Sequence, residues 1–255
     1  MCFDADARPP LPPVAGGALD SSRLVLTAAD GNRLAAFAAR AERPSGAAIV
    51  VLPDVRGLHA YYEELALRLA EAGVHAVAID PYGRTAGGER RGEGFDPEPH
   101  VRQLTADGVA ADVAAALAHL RFGESGRVER TFTLGFCVGG RMSLLQAAAG
   151  HGLSGVIGFY PWPVGEHRSG LPAPADRARE FGCPVLVLYG GGDPGIPADA
   201  VATFDRALDA AGVRRRTVVY EGAPHSFFDR RAAEHAEAST DAWRQVLDFA
   251  GVSAT

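Results

Sequence analysis

The stretch Gly135-Phe136-Cys137-Val138-Gly139-Gly140 constrains this chain more than any other. Residues 131–135 before it read as a buried strand, and residues 138–149 after it read as a helix. A strand that reverses sharply into a helix leaves no room for Cβ atoms beside the turn, which accounts for the glycines. The residue at the tip is itself forced into a strained backbone conformation. It also sits at a helix N-terminus, where unpaired N–H groups and the helix dipole favour an anion such as a thiolate. The pattern matches the nucleophile elbow G-x-S-x-G with cysteine in place of serine. The competing reading makes Cys137 a small buried hydrophobe in a tight strand-to-helix turn.

The rest of the chain supplies the sheet that such a turn requires. Residues 23–28 and 33–39 flank Asp30-Gly31-Asn32 and read as a hairpin. Apolar runs at 47–52 and 74–79 have the composition of strands buried on both faces, and further strands are read at 155–159, 184–189 and 216–220. Between them lie helical patterns: Tyr62, Leu65, Ala66 and Leu69, then Val109, Val113, Leu117 and Leu120, then residues 198–211. Trp243, Val246, Leu247 and Ala250 mark a last helix closed by Gly251. Alternation of this kind predicts an α/β fold with a mostly parallel sheet, helices on both faces and an N-terminal antiparallel hairpin. With 255 residues and no linker or internal repeat, residues 21–255 read as one domain. Residues 1–20, with Pro9-Pro10-Leu11-Pro12-Pro13, read as a loose tail and not a signal peptide.

Composition excludes several classes of function. The net charge of -6 comes without a basic stripe, so a nucleic-acid partner is not expected. No run of about eighteen apolar residues free of charge occurs, so no membrane span is expected. Of the three cysteines, Cys2 falls in the tail, Cys183 precedes a strand and Cys137 is in the elbow. None shares metal-ligand spacing with another, so no metal site is expected, and a reducing, cytoplasmic setting is the default.

In parallel sheets, chemistry gathers at the carboxyl ends of the strands. The residues there include Pro53-Asp54-Val55, Asp80 to Arg84, Cys137, Tyr160-Pro161-Trp162, Asp193 and His225. Asp193 alone is a turn or capping aspartate, and His225 alone is a loop histidine. Together with Cys137 they occur in the order nucleophile, acid, histidine, each after a strand, which makes a catalytic triad the expectation. The backbone N–H groups of Val138 and Val55 are the expected oxyanion donors. Class I glutamine amidotransferases share G-x-C-x-G, but their motif continues to glutamine where Arg141 stands, and their glutamate falls at Phe227.

Five ordered motifs resemble the dienelactone hydrolases. They are Leu52-Pro53-Asp54-Val55-Arg56-Gly57-Leu58, Asp80-Pro81-Tyr82-Gly83-Arg84, the elbow, Gly192-Asp193-Pro194-Gly195-Ile196-Pro197 and His225-Ser226-Phe227. The resemblance implies an α/β-hydrolase fold, no cofactor, and a small-molecule ester or enol-lactone substrate. It also maps the family's cysteine, aspartate and histidine onto Cys137, Asp193 and His225. The glutamate that governs the cysteine in the family corresponds to Asp54. Of its two substrate arginines one matches Arg84 and the other falls at Asp229, beside Arg230. Tyr82, Arg84 and Arg230 are therefore the substrate-binding candidates. A thioesterase or acyltransferase on the same triad, and a catalytically silent binding protein, are the alternatives. The loop over 83–100, with Arg84, Glu89, Arg90, Arg91, Glu93 and Phe95, reads either as part of the site's mouth or as a solvated charged surface.

Overall fold

The computed structural model describes residues 6–11, 18–92, 94–122 and 128–252; Cys2 and Glu93 lie outside them. The strands are β1 (Ala18–Thr27), β2 (Arg33–Ala41), β3 (Ala47–Leu52), β4 (His75–Ile79), β5 (Arg130–Phe136), β6 (Gly155–Phe159), β7 (Val185–Gly190) and β8 (Arg215–Tyr220). The helices are α1 (Ala60–Glu71), α2 (Gly83–Ala86), α3 (Glu98–Val101), α4 (Ala106–Phe122), α5 (Val138–Leu145), α6 (Ala198–Ala210) and α7 (Ala236–Phe249). They build one eight-stranded sheet in the order β1-β2-β4-β3-β5-β6-β7-β8. The hairpin β1–β2 is antiparallel, β2 meets β4 antiparallel, and every pairing from β4 to β8 is parallel.

The runs at 47–52, 74–79, 155–159 and 184–189 become β3, β4, β6 and β7, each buried along its length, whereas β8, from 216–220, is the largely exposed edge of the sheet. In β3, Ala47, Ile49 and Val51 join the core beneath α1, α6 and α7, while Ala48, Val50 and Leu52 join the core beneath α4 and α5. All six of these residues are fully buried, which is why alternation of polar residues is absent from that segment. The hairpin turns as its Asp-Gly-Asn sequence requires: Gly31 takes φ 87° and the Ala28 N–H donates to Asn32 O at 2.8 Å.

Three local differences from the sequence reading have clear causes. The helix expected over 138–149 is α-helical only to Leu145 and tightens into a 3₁₀ turn at Gln146–Ala148. The segment from 83 carries the short helices α2 and α3, and its described residues are held by Asp80 at the end of β4 and do not line the cavity that holds Cys137. Residues 6–11, read as part of a loose tail, lie against the body of the protein. Ala7 is buried, the Arg8 N–H donates to Asp229 Oδ1 at 2.9 Å, and Arg230 N–H donates to Arg8 O at 2.9 Å.

The 83–100 segment is pinned by a buried ion pair. Asp80, fully buried at the end of β4, accepts from Arg91 Nη2 at 2.7 Å and Nε at 3.1 Å. It also accepts the backbone N–H of Leu58 and of Tyr82, each at 3.0 Å, so one carboxylate ties the turn after β3 to the turn after β4. The Arg91 guanidinium rests 4.9 Å from the Phe95 ring centre, and Phe95 stacks on His100. Removing one partner of a buried pair strands the other charge. Arg91→Met is therefore expected to destabilise the fold by about 3–5 kcal/mol, read as a lowered urea midpoint. A change within about 0.5 kcal/mol would show that the pair contributes nothing net.

Candidate active site

At the end of β5 the chain turns through Cys137, whose φ of 56° and ψ of -118° lie outside the ordinary regions for an L-residue. Two glycines make the turn possible. A Cβ on Gly135 would collide with the Gly139 carbonyl, and a Cβ on Gly139 would collide with the carbonyls of Leu52 and Pro53. The elbow therefore packs backbone to backbone against the end of β3. Cys137 remains held by the sheet, its N–H donating to Phe159 O at 3.0 Å, while its own carbonyl accepts Arg141 N–H at 3.1 Å to open α5.

Among the described residues three non-glycine residues have positive φ: Cys137, Tyr160 at 37° and Ser226 at 59°. All three stand together around one cavity, since Tyr160 and Cys137 line it and Ser226 follows His225, which also lines it. Backbone strain concentrated at one place in a fold is a mark of a functional site.

The acid and the histidine meet as the sequence order predicts. His225 Nδ1 lies 2.6 Å from Asp193 Oδ2. The other carboxylate oxygen accepts the Gly195 N–H at 2.8 Å, which closes the loop after β7 and fixes the carboxylate. Burial by itself would raise the Asp193 carboxyl, but the hydrogen bond and charge of His225 outweigh it and hold the group below the usual carboxylate range. An ionised carboxylate only accepts, so Nδ1 carries the proton and Nε2 of neutral His225 keeps its lone pair. The ring also packs 4.6 Å from that of Tyr160.

Cys137, Asp193 and His225 line a single cavity of about 520 Å³ with Val138, Arg141, Tyr160, Trp162, His167, Pro194, Gly195, Ile196 and Pro224. Most of that wall is apolar, as in sites for small organic ligands. Among the described residues no group of His, Cys, Asp and Glu could hold a metal ion, and no helix is long and apolar enough to cross a membrane.

The remaining candidates stand elsewhere. Val55 is in the turn after β3, where its carbonyl accepts the Tyr82 hydroxyl at 2.7 Å; it is absent from the cavity lining. Tyr82 is fully buried beneath that turn and is a brace, not a substrate contact. Asp54 gives its oxygens to Arg56, at 3.2 Å from Nη2, and to His59 at 3.8 Å. Burial pushes its carboxyl up, but those two neighbours pull it further down.

Arg84 points away from the cavity. Its guanidinium bridges Asp30 at 2.6 Å and Asp112 at 2.8 Å, clamping the hairpin turn to α4. The one-turn helix α2 aims it there, because Gly83 is packed against the Arg33 carbonyl and the two acids wait on that side. Arg230 pairs with Glu64 at 3.4 Å and donates to Leu11 O at 3.3 Å, held by the docked N-terminal segment. No described residue of the 83–100 segment lines the cavity.

Sequence reasoning missed two polar residues of the wall, Arg141 and His167. An arginine within a helix pattern and a histidine in a loop both read as surface positions. Burial, then the charges of Arg141 and Arg168, pushes the His167 imidazole down to about 4. Tyr160 and Trp162 were indicated by their place after a strand, without a role.

The model of the dienelactone hydrolase family matches residues 34–252. A Yersinia pestis protein named "Putative carboxymethylenebutenolidase" is 31% identical over 223 residues, covering 86% of this chain and 84% of its own. A Bradyrhizobium protein named "Probable 2-oxo-3-(5-oxofuran-2-ylidene)propanoate lactonase" is 30% identical, covering 79% of this chain and 82% of its own. The crystal structure of a Klebsiella pneumoniae protein titled "Putative Dienelactone Hydrolase" superposes with a TM-score of 0.81 at 30% identity, covering 92% of this chain and 99% of that one.

Two measurements check this geometry. Burial pushes the Cys183 thiol up to about 11, whereas Cys137 is half-buried at a helix N-terminus. Iodoacetamide at neutral pH is expected to alkylate Cys137 at least about tenfold faster than Cys183, with peptide mapping to separate Cys2. Equal rates would contradict the elbow's reactivity. The His167 ring is expected to show no NMR titration between about pH 8 and pH 5. A histidine whose pKa is lowered in the fold adds stability above its unfolded value of about 6.5, which is lost as pH falls toward the folded value.

Proposed function

The chain belongs to the dienelactone hydrolase family, and from that premise we propose that it hydrolyses activated esters and enol-lactones through an acyl-enzyme on Cys137. It is a hydrolase of carboxylic ester or lactone bonds. The observation that carries the finer reading is the Asp193–His225 pair at 2.6 Å in the cavity that also exposes the strained Cys137.

In this reading His225 Nε2 takes the thiol proton, and the Cys137 thiolate attacks the acyl carbon. Asp193 orients the imidazole and offsets its developing charge. In this reading the tetrahedral oxyanion is met by the backbone N–H groups of Val138, the first residue of α5, and Val55, in the turn after β3. The C–O bond to the leaving group then breaks, and the His225 imidazolium gives its proton to the departing oxygen, which leaves the ring neutral again. Water, deprotonated by His225, attacks the thioester carbon, and the C–S bond breaks to release the acid and regenerate the thiol.

A thiolate is also a good leaving group, so the first intermediate goes forward only when the other group leaves at least as well. An enolate or phenolate qualifies, and an unprotonated amide nitrogen does not. The substrate class follows from this selectivity together with the largely apolar cavity.

The test is turnover of 4-nitrophenyl acetate and of an enol-lactone by the native chain and its variants. His225→Ala and Cys137→Ser are each expected to lose about 10²–10⁴-fold in kcat/KM with the fold retained by circular dichroism. Asp193→Ala is expected to lose no more than His225→Ala. Near-native turnover by folded His225→Ala sinks the mechanism. Intact-mass spectrometry of His225→Ala with 4-nitrophenyl acetate is expected to show an acetyl adduct on Cys137.

A further inference from the structure

We propose that Arg141, with His167 beside it, is the element of this site that recognises an anionic group, such as a carboxylate, on the substrate. The inference rests on the reading of the cavity as the hydrolase site and adds the charge of what enters it.

Arg141 follows Cys137 by four residues on the elbow helix, so the two side chains share one helix face. Both line the same cavity. The guanidinium is fully buried, and its hydrogen bonds go to four backbone carbonyls: Nε to Pro172 at 3.1 Å, Nη1 to Trp162 at 2.9 Å, and Nη2 to Gly165 at 2.9 Å and Leu171 at 2.8 Å. A guanidinium has five N–H donors, so one on Nη1 is left over.

Every acceptor in that set is neutral. The other two buried arginines differ: Arg68 meets Glu71 at 2.7 Å, and Arg91 meets Asp80 at 2.7 Å. Arg141 forms no ion pair among the described residues. Burial lowers it to about 10, with Asp176 opposing that shift at a distance, so it stays charged at neutral pH. A buried charge with its hydrogen bonds met but its charge unbalanced calls for a mobile counter-ion.

His167 completes the feature. Its Nδ1 accepts the Ser169 N–H at 3.1 Å, which puts the proton of the neutral ring on Nε2 as a donor. The ring and the guanidinium also border a second chamber of about 450 Å³, where Glu166 and Asp176 supply negative charge. Among the described residues the chamber with Cys137 has a single acid in its lining, Asp193, whose carboxylate is taken up by His225 and the Gly195 N–H, so of the two chambers it is the one that favours an anion. The positions that the family resemblance assigns to anion binding do not compete, since Arg84 is committed to Asp30 and Asp112 and Arg230 to Glu64.

The test uses a matched pair of esters, mono(4-nitrophenyl) adipate and 4-nitrophenyl methyl adipate, which differ in one charge. The native enzyme is expected to prefer the free carboxylate by about tenfold or more in kcat/KM, as for one hydrogen bond to a charged group. In Arg141→Met that ratio is expected to fall to near one, and Arg141→Lys is expected to recover part of it. A native enzyme without preference, or a Met variant that loses both substrates by the same factor, overturns the proposal and leaves Arg141 a clamp on the 162–172 loop.

If Arg141→Met fails to fold, competitive inhibition of the native enzyme decides. Glutarate is then expected to inhibit at about tenfold lower concentration than monomethyl glutarate, with the gap narrowed in His167→Ala. Equal inhibition overturns the proposal. Failure of the hydrolase reading looks different, because the methyl ester would then not be turned over in a Cys137-dependent way.

Discussion

The contact on which the site depends is the one between the elbow and the end of β3. Gly139 lies so close to the carbonyls of Leu52 and Pro53 that no side chain fits between them. That approach packs the start of α5 against the end of β3 and goes with the φ of 56° at Cys137, which stands at the head of α5. The strain is sustained because β5 is central, paired in parallel to β3 on one side and β6 on the other. A turn of this energy at a sheet edge would relax.

The histidine loop is held just as firmly, by groups that never meet the cavity. The carbonyls of Phe227 and Phe228 accept the hydroxyls of Ser239, at 3.0 Å, and Tyr61, at 2.5 Å. Beneath them Phe136, Phe159 and Phe228 pack ring against ring, so the residue before the nucleophile and those after the histidine share one aromatic cluster. The docked segment over 6–11 adds a further tie through Asp229. Rigid support of this kind lets Asp193 hold one tautomer of His225 without a long-lived rearrangement.

The sheet and the cavity that gathers Cys137, Asp193 and His225 were legible in the sequence for one reason: burial on both faces leaves an unbroken apolar signature, and those residues follow where it ends. The runs at 47–52 and 155–159 coincide with β3 and β6, and Cys137, Asp193 and His225 each follow a strand. What was not legible was side-chain direction. Tyr82, Arg84 and Arg230 sit on the right turns, yet their partners are Val55 O, Asp112 and Glu64, fixed by long-range packing. The docking of residues 6–11 was hidden for the same reason, because a proline-rich segment carries no periodic pattern to report its partner.

The distribution of arginine partners explains why the chain can use a residue that helical pattern would place on the surface. A chain of net charge -6 has acids to spare, and many of its arginines take one, among them Arg23 with Glu63, Arg84 with Asp112, Arg91 with Asp80 and Arg215 with Asp209. At Arg141 the fold instead supplies carbonyl dipoles from the 162–172 loop, which solvate the cation without neutralising it. A carboxylate in place of those carbonyls would satisfy the guanidinium equally well and cancel its charge. Backbone carbonyls leave the positive charge in place, four residues along the chain from Cys137, inside a protein whose overall charge repels anions. In the proposed reading, selectivity for a charged acyl chain and tolerance of a buried arginine come from the same four hydrogen bonds.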